Sequence, residues 1–204
     1  MNQPVIIIDA GHGGFHPDGG AYVTPGKRYE GFTEIGPVYE GVINRGIAQH
    51  LAVMLEKAGL EVHKAHHNWQ DTNLWDRVKL ERTLRERDKK DTIFVSIHNN
   101  AGGGQGMEIY TYPGTSESDA VATEIYNVWE EVIPQCPKRR PDWSDGDPDK
   151  EAEFYVLKHT HGPCVLVECG FMDNRQDAQF MLNNGGRQAY ASAIFQGLKN
   201  YLNL

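Results

Sequence analysis

The chain has 204 residues, 39% of them hydrophobic and 24% charged, a balance ordinary for one soluble globular domain able to bury its own core. Its formal net charge of −8 and pI near 5.6 argue against a nucleic-acid binder, which meets phosphates with a basic stripe. Beyond Lys138, Arg139 and Arg140 no basic cluster occurs.

Val5 to Ile8 are four β-branched residues in a row, the pattern of a buried strand, and they run through Asp9 into the turn Gly11-His12-Gly13-Gly14. His12 therefore stands at a strand end, where loops of α/β proteins carry sites. Phe15 to Tyr39 is polar and rich in Gly and Pro, with a small hairpin predicted to turn at Pro25-Gly26. Ile43, Ile47, Leu51, Met54, Leu55 and Ala58 then recur at the helical period, and Gly59 stops the helix. Leu60 to Ala65 reads as a short strand. Leu74 to Arg87 is charged at most positions and reads as a solvated helix.

Asp91 to Ala101 repeats the opening pattern, an apolar run with His98 near its carboxyl end, and Gly106 to Tyr112 is the next strand. Ser116 to Asp119 forms a capping-box pattern ahead of the stripe Val121, Ile125, Trp129 and Val132, which ends by Pro134. Pro137 to Glu151, rich in Pro and Asp, is expected to be a mobile loop near a site. Pro163 to Phe171 is the last buried strand, and Ala189 to Leu202 a closing amphipathic helix. The alternation predicts an α/β fold: one domain over residues 1–204, a mostly parallel or mixed central sheet with helices on both faces, and no second domain.

Cys136, Cys164 and Cys169 are odd in number and lack CxxC spacing, so they read as reduced thiols and not as a thiolate zinc site. No stretch approaches the roughly eighteen apolar residues of a membrane span. The amino terminus shows no basic segment followed by an apolar one, so the expectation is synthesis in the cytoplasm without a visible signal peptide.

Glu168 interrupts the apolar run CVLVECGF, where an unpaired carboxylate costs several kcal/mol. Either a core Lys or Arg neutralises it, or it faces a cleft shared with His12 and His98, where burial raises its pKa toward general-base work. Two imidazoles make an incomplete zinc site, since catalytic zinc takes three protein ligands and leaves a fourth position open. Glu30, Glu34 and Glu40 are the carboxylates between His12 and the first strong helix, and Glu40 is favoured because it opens that helix, where the dipole attracts an anion. His16 lies in the same insertion and is read as solvated, as are His50, His63, His66, His67, His159 and His161, in structural or surface roles.

IDAGHGG, YEGVIN, FVSIHNNAGG, GMEIY and VLVECGFMDN occur in that order, ahead of the helix YASAIFQGLKNYL. This series resembles the zinc-dependent N-acetylmuramoyl-L-alanine amidases of bacterial autolysins and phage endolysins, over nearly the whole chain. The resemblance implies Zn2+ held by His12, Glu40 (with Asn44 four residues on) and His98, and a catalytic carboxylate at Glu168. It implies as substrate the amide joining N-acetylmuramic acid to L-alanine of the peptidoglycan stem peptide, with action on the cell wall, reached by phage-mediated release if no leader exists. The family's Asp-Pro-Gly-Ala run after GHGG is replaced by HPDGGAYVTPGKRYEGFTEIG, which lengthens the gap to Glu40. Pro137 to Glu151 is ill suited to form the regulatory helix that some relatives hold over the zinc, so an uninhibited site is expected. The rival readings are a zinc peptidase cutting within the stem peptide and a non-catalytic wall-binding module; the chain is taken as a monomer.

Overall fold

The computed structural model describes residues 3–204. In chain order the strands are β1 (Val5–Ala10), β2 (Arg28–Tyr29), β3 (Val38–Tyr39), β4 (Val62–Lys64), β5 (Thr92–Asn100), β6 (Glu108–Thr111), β7 (Lys150–Glu151) and β8 (Cys164–Phe171). The helices are α1 (Glu40–Lys57), α2 (Leu74–Glu86), α3 (Glu117–Val132), α4 (Tyr155–His159), α5 (Arg175–Leu182) and α6 (Asn184–Leu202). Six strands form one sheet in the order β4-β1-β5-β8-β6-β7. The first four run parallel, and β6 is antiparallel to β8. The predicted mixed α/β sheet is therefore present.

Side chains alternate across the sheet, as the strand period requires. Ile6, Ile8, Val95, Ile97, Val165 and Val167 point into the larger core with the apolar faces of α1, α3 and α6. Val5, Ile7, Phe94, Cys164 and Leu166 point the other way, against Val78 and Leu84 of α2 and Val156 and Leu157 of α4. The chain leaves β1 toward β4 through α1, then crosses back through α2 to β5 on the far side of β1. This reversal opens a crevice at the carboxyl ends of β1 and β5, the place where such sheets bind ligands.

Most of the expected elements are observed, including the capping box in which Ser116 and Asp119 exchange side-chain bonds with each other's backbone N–H. The three thiols are free and buried. Two readings need correction. The turn at Pro25-Gly26 exists, with Lys27 N–H donating to Thr24 carbonyl at 2.9 Å, but the ladder that forms pairs Arg28–Tyr29 with Val38–Tyr39 across a longer loop. Two backbone pairs are all that so polar a segment sustains. The second correction concerns α2, whose charges are not all solvated: Arg77 is 2% exposed and Glu81 fully buried.

Arg77 sits beneath the carboxyl end of β1. It pairs with Asp9, donates to Ala10 carbonyl at 2.7 Å and to Thr72 carbonyl at 2.8 Å, while Ser96 Oγ donates to the other Asp9 oxygen at 2.8 Å. The pair thus clamps the strand from which His12 is presented. Arg77→Met leaves Asp9 buried without its cation and is expected to cost about 3–5 kcal/mol in urea unfolding. Asp9→Asn added to it should recover part of the loss. A change below about 1 kcal/mol in the single variant would mean that water reaches Asp9.

Candidate metal centre

The glycine turn is built around His98. Gly11 N–H continues the ladder to Ile97 carbonyl at 3.0 Å, and a Cβ at Gly11 would fall within the His98 imidazole. His12 follows with φ of 62°, the left-handed region that side chains with a Cβ seldom enter, and such a conformation persists where the surroundings over-determine it. Those surroundings are visible: Gly13 N–H donates to Thr24 Oγ1 at 2.9 Å and Gly14 N–H to Trp69 carbonyl at 2.7 Å. α1 begins against this turn, with Gly41 so close to the Gly13 carbonyl that no Cβ fits between them. Gly41 N–H donates to Tyr22 Oη at 2.9 Å, and one turn later Asn44 donates to Gly11 carbonyl at 3.1 Å and accepts from Asn99 at 2.7 Å. The first residue of the helix, Glu40, is thereby aimed at both histidines.

Glu40 Oε1 lies 3.3 Å from His12 Nε2 and 3.1 Å from His98 Nδ1. The two imidazoles stand perpendicular with ring centres 5.1 Å apart. One ligand atom from each of the three residues falls within 4.8 Å of the others. Burial alone would raise the pKa of Glu40, but the neighbouring imidazoles outweigh it and hold the carboxyl well below the usual range. Burial also opposes charge on His98, yet Glu40 and then Glu168 raise its pKa. His12 Nε2 is buried and, despite its proximity to Glu40, has no hydrogen bond of acceptable geometry. Such an orphaned nitrogen beside a carboxylate and a second imidazole fits a divalent metal better than it fits a closed polar network.

Glu168 is the cross-strand neighbour of His98, so both side chains emerge on the same face. Among the described residues no Lys or Arg pairs with it, and its Oε2 is buried without a partner. Burial, followed by the field of His98, which opposes it, and that of Glu40, leaves its pKa raised to about 7. Glu108, opposite Glu168 on β6, is instead fully engaged: Lys150 and Arg139 pair with it, and Asn100 Nδ2 donates at 2.8 Å. The cleft lined by His12, His98 and Glu168 has a volume of about 660 Å³ and is walled by Leu74, Phe154, Tyr155 and Leu166, with Lys27 also lining it.

The structure thus brings His12, Glu40, His98 and Glu168 to one end of the sheet. Glu30 pairs with Arg28 at 3.2 Å and Glu34 with Arg175, both outside the cluster. His16 packs edge-on against Trp69 and contacts Asp18. His66 accepts from Ala10 N–H at 3.0 Å, with burial lowering its pKa to about 4, a structural role behind β1. Sequence reasoning missed Glu108 and Arg77. Glu108 carried the same signal as Glu168, a carboxylate within an apolar strand, whereas Arg77 was masked by the charges around it.

Residues 6–200 match the family described as N-acetylmuramoyl-L-alanine amidase. The chain belongs to this family. It is 30% identical over 201 residues to the sporulation-specific N-acetylmuramoyl-L-alanine amidase of Bacillus subtilis, an alignment covering 98% of this chain and 68% of that relative. It is 37% identical over 111 residues to N-acetylmuramoyl-L-alanine amidase CwlM of Bacillus licheniformis, covering 54% of this chain and 41% of that one. The aligned stretch thus spans less than half of CwlM, and about two thirds of the sporulation-specific amidase. The solved structure of amidase AmiC2 of Nostoc punctiforme superposes with a TM-score of 0.74 at 27% identity, covering 98% of each chain. Residues 137–151 contain no helix, and among the described residues no helix is long and apolar enough to cross a membrane.

Proposed function

We propose that the chain hydrolyses the amide between N-acetylmuramic acid and L-alanine of the peptidoglycan stem peptide, with His12, Glu40 and His98 holding Zn2+ and Glu168 serving as general base. The observation that carries this reading is a pair of orphans at one end of the sheet: His12 Nε2 and Glu168 Oε2, both buried and both without hydrogen-bond partners. His12, Glu40 and His98 would hold Zn2+, which when bound would supply Lewis acidity toward a carbonyl and lower the pKa of water to about 7. Glu168 Oε2 accepts the proton of the water that attacks the amide carbonyl, and a carboxyl pKa raised to about 7 suits both the acceptance and the return. The same carboxyl then delivers that proton to the departing alanine nitrogen. Leu74, Phe154 and Tyr155 offer the apolar wall against which a substrate is oriented, and the Asp9–Arg77 clamp holds the floor in place. The work site is the cell wall.

Product identity tests the proposal. Purified peptidoglycan digested by the zinc-loaded protein should yield intact stem peptides with a new amino-terminal L-alanine and glycan strands free of peptide, as read by mass spectrometry with and without chelator. Stem peptides cut farther along, with L-alanine still on the sugar, would replace the amidase with a zinc peptidase. Zinc-loaded protein that cuts no wall type would leave a binding module.

A further inference from the structure

A second cluster of potential ligands lies far along the chain from the triad. Asp119, at the start of α3, and Asp147 and Asp149, just before β7, each place a carboxylate oxygen within 4.8 Å of the others. Asp149 is 1% exposed and Asp119 7% exposed. One oxygen of each is explained locally: Asp119 Oδ2 accepts from Ser116 N–H in the capping box at 2.6 Å, and Asp149 Oδ2 accepts from Thr111 Oγ1 at 2.6 Å. The remaining Asp149 oxygen, Oδ1, is buried without any partner, and so is Asp147 Oδ1. No basic side chain answers them among the described residues; Lys150, adjacent in sequence, turns to Glu108 instead. A fully buried carboxylate oxygen facing two further carboxylates with no donor is costly unless a cation compensates it.

We propose that Asp119, Asp147 and Asp149 form a second cation site, specific for Ca2+ and distinct from the triad, that fastens the segment between α3 and β7 to the amino end of α3. The donor set decides the class of ion. It is all oxygen, with neither imidazole nor thiolate, which suits a hard cation and disfavours zinc. Ca2+ tolerates irregular geometry and completes its shell with waters and carbonyls, whereas Mg2+ demands an octahedron. The consequence reaches the cleft by a short route. Asp149 directly precedes Lys150, which together with Arg139 of the same segment holds Glu108 opposite Glu168.

Calorimetric titration of the zinc-loaded full chain with CaCl2 tests the site. One Ca2+ per chain is expected, with a Kd of about 10⁻⁵ to 10⁻³ M. Asp147→Asn and Asp149→Asn should each weaken it by at least about tenfold, since each removes a charged ligand, while His98→Ala, titrated without zinc, should bind Ca2+ as the parent titrated without zinc does. Should Asp149→Asn fail to fold, Asp147→Asn decides alone, because Asp147 is only half-buried. Absence of saturable binding to the parent chain, binding unchanged in the aspartate variants, or binding lost in His98→Ala would each overturn the assignment. None of these outcomes bears on the amidase reading, which rests on the triad and Glu168.

Discussion

Glu168→Gln is expected to lose about 10²- to 10⁴-fold in the rate of peptidoglycan hydrolysis while keeping its metal content and its fold. The amide has the shape of the carboxylate but no basic oxygen, so it neither takes the proton of the attacking water nor returns it to the leaving nitrogen. Loss through unfolding is not expected, because the Glu168 Oε2 atom makes no hydrogen bond whose removal would strand a donor. Replacing a buried ionisable group by a neutral isostere also removes its desolvation cost. The measurement pairs turbidity clearance of purified walls with metal analysis and thermal unfolding on the same sample. A zinc-replete variant of parental activity would reduce Glu168 to a structural carboxylate, and loss of both metal and fold would make it part of the scaffold.

His12→Ala, His98→Ala and Glu40→Ala are each expected to lose stoichiometric zinc and, with it, all measurable hydrolysis. Two protein ligands do not hold the ion against water when three are needed. Glu40→Ala carries a further penalty, since Glu40 is buried between two imidazoles and its removal also frees the His98 ring and the Asn99 N–H that it receives. Glu34→Ala is the control. Glu34 lies in the insertion before α1 and pairs with Arg175 on the surface, so its variant keeps its zinc. Zinc content by atomic emission after gel filtration separates the cases; full occupancy in the Glu40 variant with loss in the Glu34 variant would move the third ligand into the insertion.

The residues of the cleft were legible in the sequence where polar side chains broke an apolar pattern at a strand end. His12 and His98 stood out for that reason, and so did Glu168, whose neighbour across the ladder is His98. Choosing Glu40 over Glu30 and Glu34 needed only the knowledge that a helix start is rigid and a loop is not. What stayed hidden depends on partners distant in sequence. Arg77 looks like any charge on a polar helix, and only Asp9, 68 residues earlier, makes it a buried clamp. Glu81 is likewise buried because Thr92 Oγ1 and the backbone N–H of Gly162 donate to it at 3.1 and 3.0 Å. The short helix α4 and the two-residue strands β2, β3 and β7 offered too few residues for any period to show. α5 was lost differently, as its Asn174 cap and brief apolar face merge in sequence with the helix that follows.

The outermost strands of the sheet are its shortest parallel members: β4 has three residues and β7 two, and Lys64, Lys150 and Glu151 lie on them. An exposed strand is a template on which another chain extends the ladder, and it is an effective one only when long, flat and apolar. Margins this brief and this charged give an incoming backbone almost nothing to pair with. Self-association of this molecule by strand addition, the first step of fibril growth, is therefore closed off at both sides of the sheet by the way the sheet ends.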